Sequence, residues 1–126
     1  MSDGEVRLAV PAQPGYLRMT RLLAAGVASR VGFTLDEVDD LRIAIDELCF
    51  ALVGPGGRDG TITVRYTFID GGLVVEGEGH FADGGHDTPL LSPLSMQILG
   101  AVADECTLEP GIEGPTFRLV KRRREE

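Results

Sequence analysis

Between Thr34 and Gly54 the chain spells out both ends of a helix, and the positions between them have two apolar sides. Thr34 and Glu37 form a T-x-x-E capping box, in which hydroxyl and carboxylate satisfy backbone N–H groups that a helix start leaves without partners. Phe33 and Val38 sit where a hydrophobic staple would bracket it. Asp36, Glu37, Asp39 and Asp40 crowd the first turns, where the positive end of the helix dipole tolerates them, so this acidic run has a sufficient structural reason. Val38, Leu41, Ile45, Leu48 and Leu52 make one apolar stripe, and Gly54-Pro55 ends the helix. Glu47 lies off that stripe, beside Ala44 and Ala51, on a side that Ile43 and Phe50 share. A helix apolar on two sides covers the core with one and offers the other to a pocket or a partner. The plain alternative for Glu47 is a solvated acid on a helix flank.

The flanking segments change period. Val6, Leu8 and Val10 alternate with Arg7 and Ala9 as in a half-buried strand, which Pro11 and Pro14 close. Over residues 16–31 the spacing turns helical: Met19, Leu23 and Val27 recur every four residues, with Leu22 and Val31 widening the stripe, and Gly32 stops the helix. Arg18 and Arg21 are helical neighbours on the face away from Met19 and Leu23. After a Gly-rich connection without G-K-[ST], Ile62, Val64, Tyr66 and Phe68 alternate with polar residues, and Asp70-Gly71-Gly72 turns the chain into a second strand over 73–78. Residues 80–91 have no period and contain Gly84, Gly85 and Pro89, a loop of the length reserved for lids and binding segments. His80, Asp83, His86 and Asp87 could be drawn there as a metal site, but they lack a regular scaffold. Ser92-Pro93 opens a short helix to about Ala103, and strands around 106–108 and 116–120 follow. The order β-α-α-β-β-loop-α-β-β predicts an α+β two-layer sandwich, three helices on one face of a mostly antiparallel mixed sheet.

With 126 residues the chain is expected to form one domain, 1–126, ending in a charged, solvated tail over 121–126. Its net charge is −8, and five of its twelve basic residues lie in the last strand and tail, so the remainder is more acidic still. Such a surface repels phosphate backbones, which argues against nucleic acid as a direct partner. No apolar run reaches the length of a membrane span and the N-terminus lacks the features of a signal peptide, so a cytoplasmic location without membrane association is expected. Cys49 and Cys106 stand far apart among apolar neighbours and are expected to be buried, reduced thiols.

The run Leu41-Arg42-Ile43-Ala44-Ile45-Asp46-Glu47-Leu48-Cys49 resembles the helix that opens the nucleotide site in bacterial anti-sigma factors of the serine-protein-kinase type, in the GHKL (Bergerat-fold, histidine-kinase-like ATPase) superfamily. The likeness extends from Val6 to Lys121 and includes the closing Gly114-Pro115-Thr116-Phe117-Arg118-Leu119-Val120-Lys121, similar to the family's G-T-x-x-x-L-x-K strand. It implies a nucleotide site at Glu47, Gly79, Gly84, Gly85 and Thr116, with Glu47 as the catalytic base or orienter. Tyr16-Leu17-Arg18-Met19-Thr20 is similar to the segment whose arginine contacts the partners, which implies partner-binding roles for Arg18 and Arg21. The partners so implied are a sigma factor and an anti-anti-sigma (STAS-type) protein, with the chain as a homodimer.

Departures from the family's motifs bear on the cofactor. Where the family has the Mg²⁺-binding asparagine, four residues after the glutamate, this chain has Ala51, which offers no oxygen to a hard cation. The adenine-binding aspartate falls at about Gly79 within Glu76-Gly77-Glu78-Gly79-His80, or in a shifted register at Glu78 or Asp83. Two lost hydrogen bonds of this kind weaken nucleotide binding by roughly a hundredfold to ten-thousandfold. An anti-sigma factor with weak or lost ATP binding is therefore expected, the alternative being an active ATP- and Mg²⁺-dependent serine protein kinase that phosphorylates the anti-anti-sigma protein.

Overall fold

The computed structural model describes residues 4–83 and 91–124. Strand β1 (Glu5–Pro11) leads through a single turn at Pro14–Tyr16 into helix α1 (Leu17–Val31), which is followed by helix α2 (Leu35–Val53). Strands β2 (Gly60–Ile69) and β3 (Gly72–Phe81) form the hairpin; helix α3 (Pro93–Val102) and strands β4 (Glu105–Glu109) and β5 (Thr116–Arg122) complete the chain. The sheet order is β1-β2-β3-β5-β4, and all four pairings are antiparallel. This is the expected two-layer α+β arrangement, except that the sheet is antiparallel throughout where a mixed one was expected, because every strand connection lets neighbours run in opposite directions. The helix-facing side of the sheet carries Val10, Ile62, Val64, Tyr66, Leu73, Val75, Phe81, Phe117 and Leu119, all buried. Against them α2 sets Leu41, Ile45, Leu48 and Leu52, the stripe read from the sequence. Gly32 ends α1 in the left-handed region, φ +86°, which favours glycine.

Three further sequence expectations are corrected. The buried face of α1 is Leu17, Thr20, Ala24, Val27 and Ala28, whereas Met19 and Leu22 are exposed. Counting large apolar residues misplaced the stripe, because small residues allow close helix approach and Thr20 satisfies its hydroxyl internally by donating to the Leu17 carbonyl at 2.6 Å. Arg18 consequently shares its exposed side with Met19 and Leu22. Strand β3 also continues through His80 and Phe81 instead of breaking into loop, because the connection between β4 and β5 supplies backbone acceptors: Gly79 donates to Pro115 and Phe81 to Glu113, both at 2.9 Å.

The third correction concerns the basic end of the chain. Lys121 is buried within β5, with its ammonium donating to the Val102 carbonyl at 2.9 Å and lying 3.5 Å from Asp40. The Arg122 N–H donates to Asp104, the Arg123 N–H to the Gly71 carbonyl, and the Arg124 N–H to Glu37 at 2.6 Å. Residues 121–124 are thus tied down. Glu37, only 3% exposed, caps α2 with Oε1, which accepts from the Thr34 N–H, and receives Arg124 on Oε2. Burial by itself would raise its pKa, but the backbone hydrogen bonds from Thr34 and Arg124, the Thr34 hydroxyl and the Lys121 charge together hold it below the ordinary value.

Two outcomes follow for stability. Leu48→Ala should cost about 2–5 kcal/mol in denaturant unfolding, whereas Leu22→Ala on exposed α1 should stay within about 0.5 kcal/mol. Because the folded pKa of Glu37 is depressed, its contribution is complete above the ordinary carboxylate value of 4.5 and is lost as pH falls through the lower folded value. Glu37→Gln should therefore lower stability at neutral pH by about 1–2 kcal/mol, and urea titrations should show that deficit shrinking on acidification.

Candidate functional site

The capping box fixes where α2 starts and the Leu41–Leu48 stripe fixes its rotation, so the opposite flank of α2 is determined as well. On that flank Glu47 is half-buried and lines an open pocket of about 290 Å³ with Leu17, Arg21, Asp46 and Phe50. A second pocket, of about 320 Å³, is lined by Arg21, Asp39, Arg42, Ile43 and Asp46. A third, of about 240 Å³, lies between Arg18, Arg21, Leu22 and Arg42. Arg21 borders all three, so they form one surface running along the groove between α1 and α2.

Its electrostatics are a chain of half-exposed pairs. The Arg21 Nε lies 3.1 Å from Asp46 Oδ1, and Arg42 lies 3.6 Å from Asp39. Arg21, expected from the resemblance to contact a partner, is engaged with Asp46 within the chain. Ion pairs this exposed contribute about 0–1 kcal/mol, so a competing carboxylate can recruit the guanidinium at little cost. Burial raises the pKa of Asp46 against the opposing charges of Arg21 and Arg42, with Glu47 adding to the rise. Arg18 is exposed, and among the described residues no carboxylate pairs with it. Tyr16, at the start of α1, and Met19, Leu22, Ile43 and Phe50 on the two helices are large apolar side chains left exposed. The second apolar side of α2 is thus an open surface that α1 extends. Arg42 and Asp46 were missed as members of it, although their spacing with Asp39, three and four residues apart, places all three on one helical flank.

Among the described residues, the others expected to hold a nucleotide do not line the Glu47 pocket. The lining of the Glu47 pocket includes neither Gly79 nor Thr116. Gly79 is buried within β3 opposite Ile62, and Thr116 opens β5 opposite Glu78 and Glu109. Gly84 and Gly85 lie outside the described residues, as do His86 and Asp87. Ala51 presents a half-buried methyl group one turn after Glu47. At the start of α3, Pro93 has no N–H to offer a phosphate, and the Ser95 N–H is already taken by the Ser92 hydroxyl at 3.0 Å. Among the described residues this donor set does not fit a magnesium nucleotide: it lacks a metal oxygen at position 51 and a base acceptor at position 79.

Among the described residues no group of His, Cys, Asp and Glu is arranged to hold a metal ion. His80 lies beside Glu78 and Glu113, while Asp83 pairs with Arg58 at 2.9 Å. Both cysteines are free. Burial pushes the Cys49 thiol up to about 12, against a hydrogen bond with Thr20, and burial also raises Cys106, so neither is an activated nucleophile.

No protein-family model matches the chain. Among curated proteins it is similar to the serine-protein kinase RsbW of Bacillus subtilis (strain 168), 37% identical over 83 residues that make up 62% of this chain and 52% of that protein. RsbW of Bacillus pumilus (strain SAFR-032) is 36% identical over 75 residues, 56% of this chain and 46% of the relative. RsbW of Listeria monocytogenes serovar 1/2a is 38% identical over 74 residues, 56% and 47% of the two chains. The matched stretch spans about half the length of these relatives. The resemblance suggested by the motifs is borne out as a similarity: over 56–62% of its length this chain is similar to the bacterial serine-protein kinases RsbW.

Proposed function

We propose that the chain is an anti-sigma regulatory factor, which sequesters a sigma factor through the α1–α2 surface and is countered by an anti-anti-sigma protein, with nucleotide weakly held or lost. The observation that carries this reading is the continuous surface around Arg21, where three arginines alternate with exposed Leu22, Ile43 and Phe50. An amphipathic partner helix meets such a groove with its apolar residues on these side chains and its carboxylates on the guanidinium forks. Arg18, which pairs with no carboxylate among the described residues, is the first candidate for such a contact, and Arg21 and Arg42 can exchange their exposed internal pairs for external ones. Two partners that use one surface exclude each other, so release requires only mass action by the competitor.

The acidic character of the chain argues against direct nucleic-acid contact. No described helix is long and apolar enough to cross a membrane, which is compatible with action in the cytoplasm. A homodimer is part of the proposal through the resemblance alone.

A second reading, an active serine protein kinase, is favoured by the names of the relatives and by Glu47, the expected catalytic group, which stands half-buried beside Arg21. The mismatched donor set described above supports the binding protein instead.

Two measurements test the proposal. Arg18→Glu should weaken binding of a sigma factor from the same genome by at least about tenfold, in fluorescence anisotropy, with an unchanged melting temperature. Unchanged affinity would remove Arg18 from the site. Incubation with radiolabelled ATP, Mg²⁺ and a purified anti-anti-sigma protein should leave that protein unlabelled; stoichiometric phosphoserine would select the kinase.

A further inference from the structure

The helix-facing side of β3 changes character halfway along. Leu73 and Val75 are followed, with the two-residue period of a strand, by Gly77 and Gly79. Both glycines are buried in the middle of a five-stranded sheet, where a side chain would ordinarily cover the core and where glycine weakens a strand.

Two phenyl rings explain them. Phe117 stands opposite Gly77 on β5, and a Cβ on Gly77 would overlap its ring. Phe81, two residues further along β3, lays its ring over Gly79, where a Cβ would lie 2.7 Å from two ring carbons. The rings are buried, with Phe81 6% and Phe117 3% exposed. The Arg58 guanidinium lies over Phe81, 4.2 Å from the ring centroid, and is itself held by Asp83. The edge of the strand is closed as well: the N–H groups of Gly79 and Phe81 donate to Pro115 and Glu113, and Gly114 packs against the Gly79 backbone so closely that no Cβ would fit there.

We infer that Phe81 and Phe117 form an aromatic plug over the glycine pair of β3, taking the place of the base of a nucleotide at position 79, so that this chain completes its sheet face from within and docks its partners without nucleotide. The glycines seat the plug and do not serve the approach of a ligand. This deepens the nucleotide part of the proposal above and is independent of where a partner docks.

Alanine substitutions in ligand-free protein separate the two roles. At a strand position alanine is ordinarily no worse than glycine, so a ligand-approach glycine would accept it silently in the absence of ligand. With the plug in place, Gly77→Ala and Gly79→Ala should each lower the melting temperature by several degrees, and Gly79→Ala combined with Phe81→Leu should recover part of the loss. A silent Gly79→Ala, or a double variant no better than the single, would overturn the inference. In wild-type protein, calorimetry with ATP and ADP, with and without Mg²⁺, should give no saturable heat up to about 1 mM. Saturable binding that shifts the Phe81 and Phe117 ring resonances would also overturn it. The affinity for a sigma factor should agree within about twofold with and without Mg-ATP. An ATP-dependent rise in affinity would refute the plug and leave the docking reading intact. Absence of any sigma-factor binding, with nucleotide still silent and the alanine penalties present, would refute the docking reading and leave the plug intact.

Discussion

The carboxylate of Glu37 joins two parts of the chain that are far apart in sequence. One oxygen accepts the Thr34 N–H at the start of α2, and the other accepts the Arg124 N–H just beyond the end of β5. Through the first bond it sets the residue at which α2 begins, and in a helix of fixed pitch that choice sets the direction of every later side chain. Through the second it fastens the end of the sheet to the same point. Lys121 and Asp40 repeat the connection one turn further along α2, with the ammonium also held by the Val102 carbonyl at the end of α3. The elements on either side of the core are therefore registered by polar contacts at one end, while Leu41, Ile45, Leu48 and Leu52 hold them together along their length.

The same rotation that buries that stripe exposes Arg42, Ile43 and Phe50 on the other side of α2. An exposed apolar residue on its own means little, because much of any folded surface is apolar. Here the apolar groups adjoin arginines on two neighbouring helices, and the pairs that hold those arginines are half-exposed and weak. Such a surface is stable in isolation and can still exchange its internal pairs for those of a partner. A deeply buried ion pair could not do so, because breaking one leaves an unpaired charge in low dielectric.

The order of elements was legible in the sequence because period and punctuation agreed: the capping box at Thr34, the alternation over 62–68, the Ser92-Pro93 start and the stop at Gly32 all have local causes. What escaped depends on partners distant in the chain. Nothing near Thr20 announces that Tyr66, far along the chain on β2, will make it a core residue. Nothing near His80 announces that the loop before β5 will extend β3. The basic run 121–124 has the composition of a solvated tail, and only the acceptors on Glu37, Gly71 and Asp104 make it structure. At the candidate site the sequence revealed the missing donors, since the absence of an oxygen at Ala51 needs no fold to establish. It did not reveal that phenyl rings cover the glycines of β3, because Gly77 and Phe117 are forty residues apart and meet only through strand pairing.

The position of the α1 arginines rests on one buried polar contact. The Tyr66 hydroxyl donates to the Thr20 carbonyl at 2.8 Å, using an acceptor that the helix itself leaves with a spare lone pair. Tyr66 is wholly buried in the sheet, so this hydroxyl has no water to turn to, and leaving it unsatisfied would cost about 1–3 kcal/mol. The penalty makes the bond selective as well as stabilising. A rotation of α1 that buried Met19 and Leu22, the face that hydrophobic counting favours, would carry the Thr20 carbonyl away from Tyr66 and replace Ala24 with larger groups at the closest approach. Core polarity thereby decides which side of α1 faces out, and with it the placement of Arg18 and Arg21 beside Arg42. An interior hydroxyl bonded to one helix carbonyl thus helps fix the geometry of a surface it does not touch.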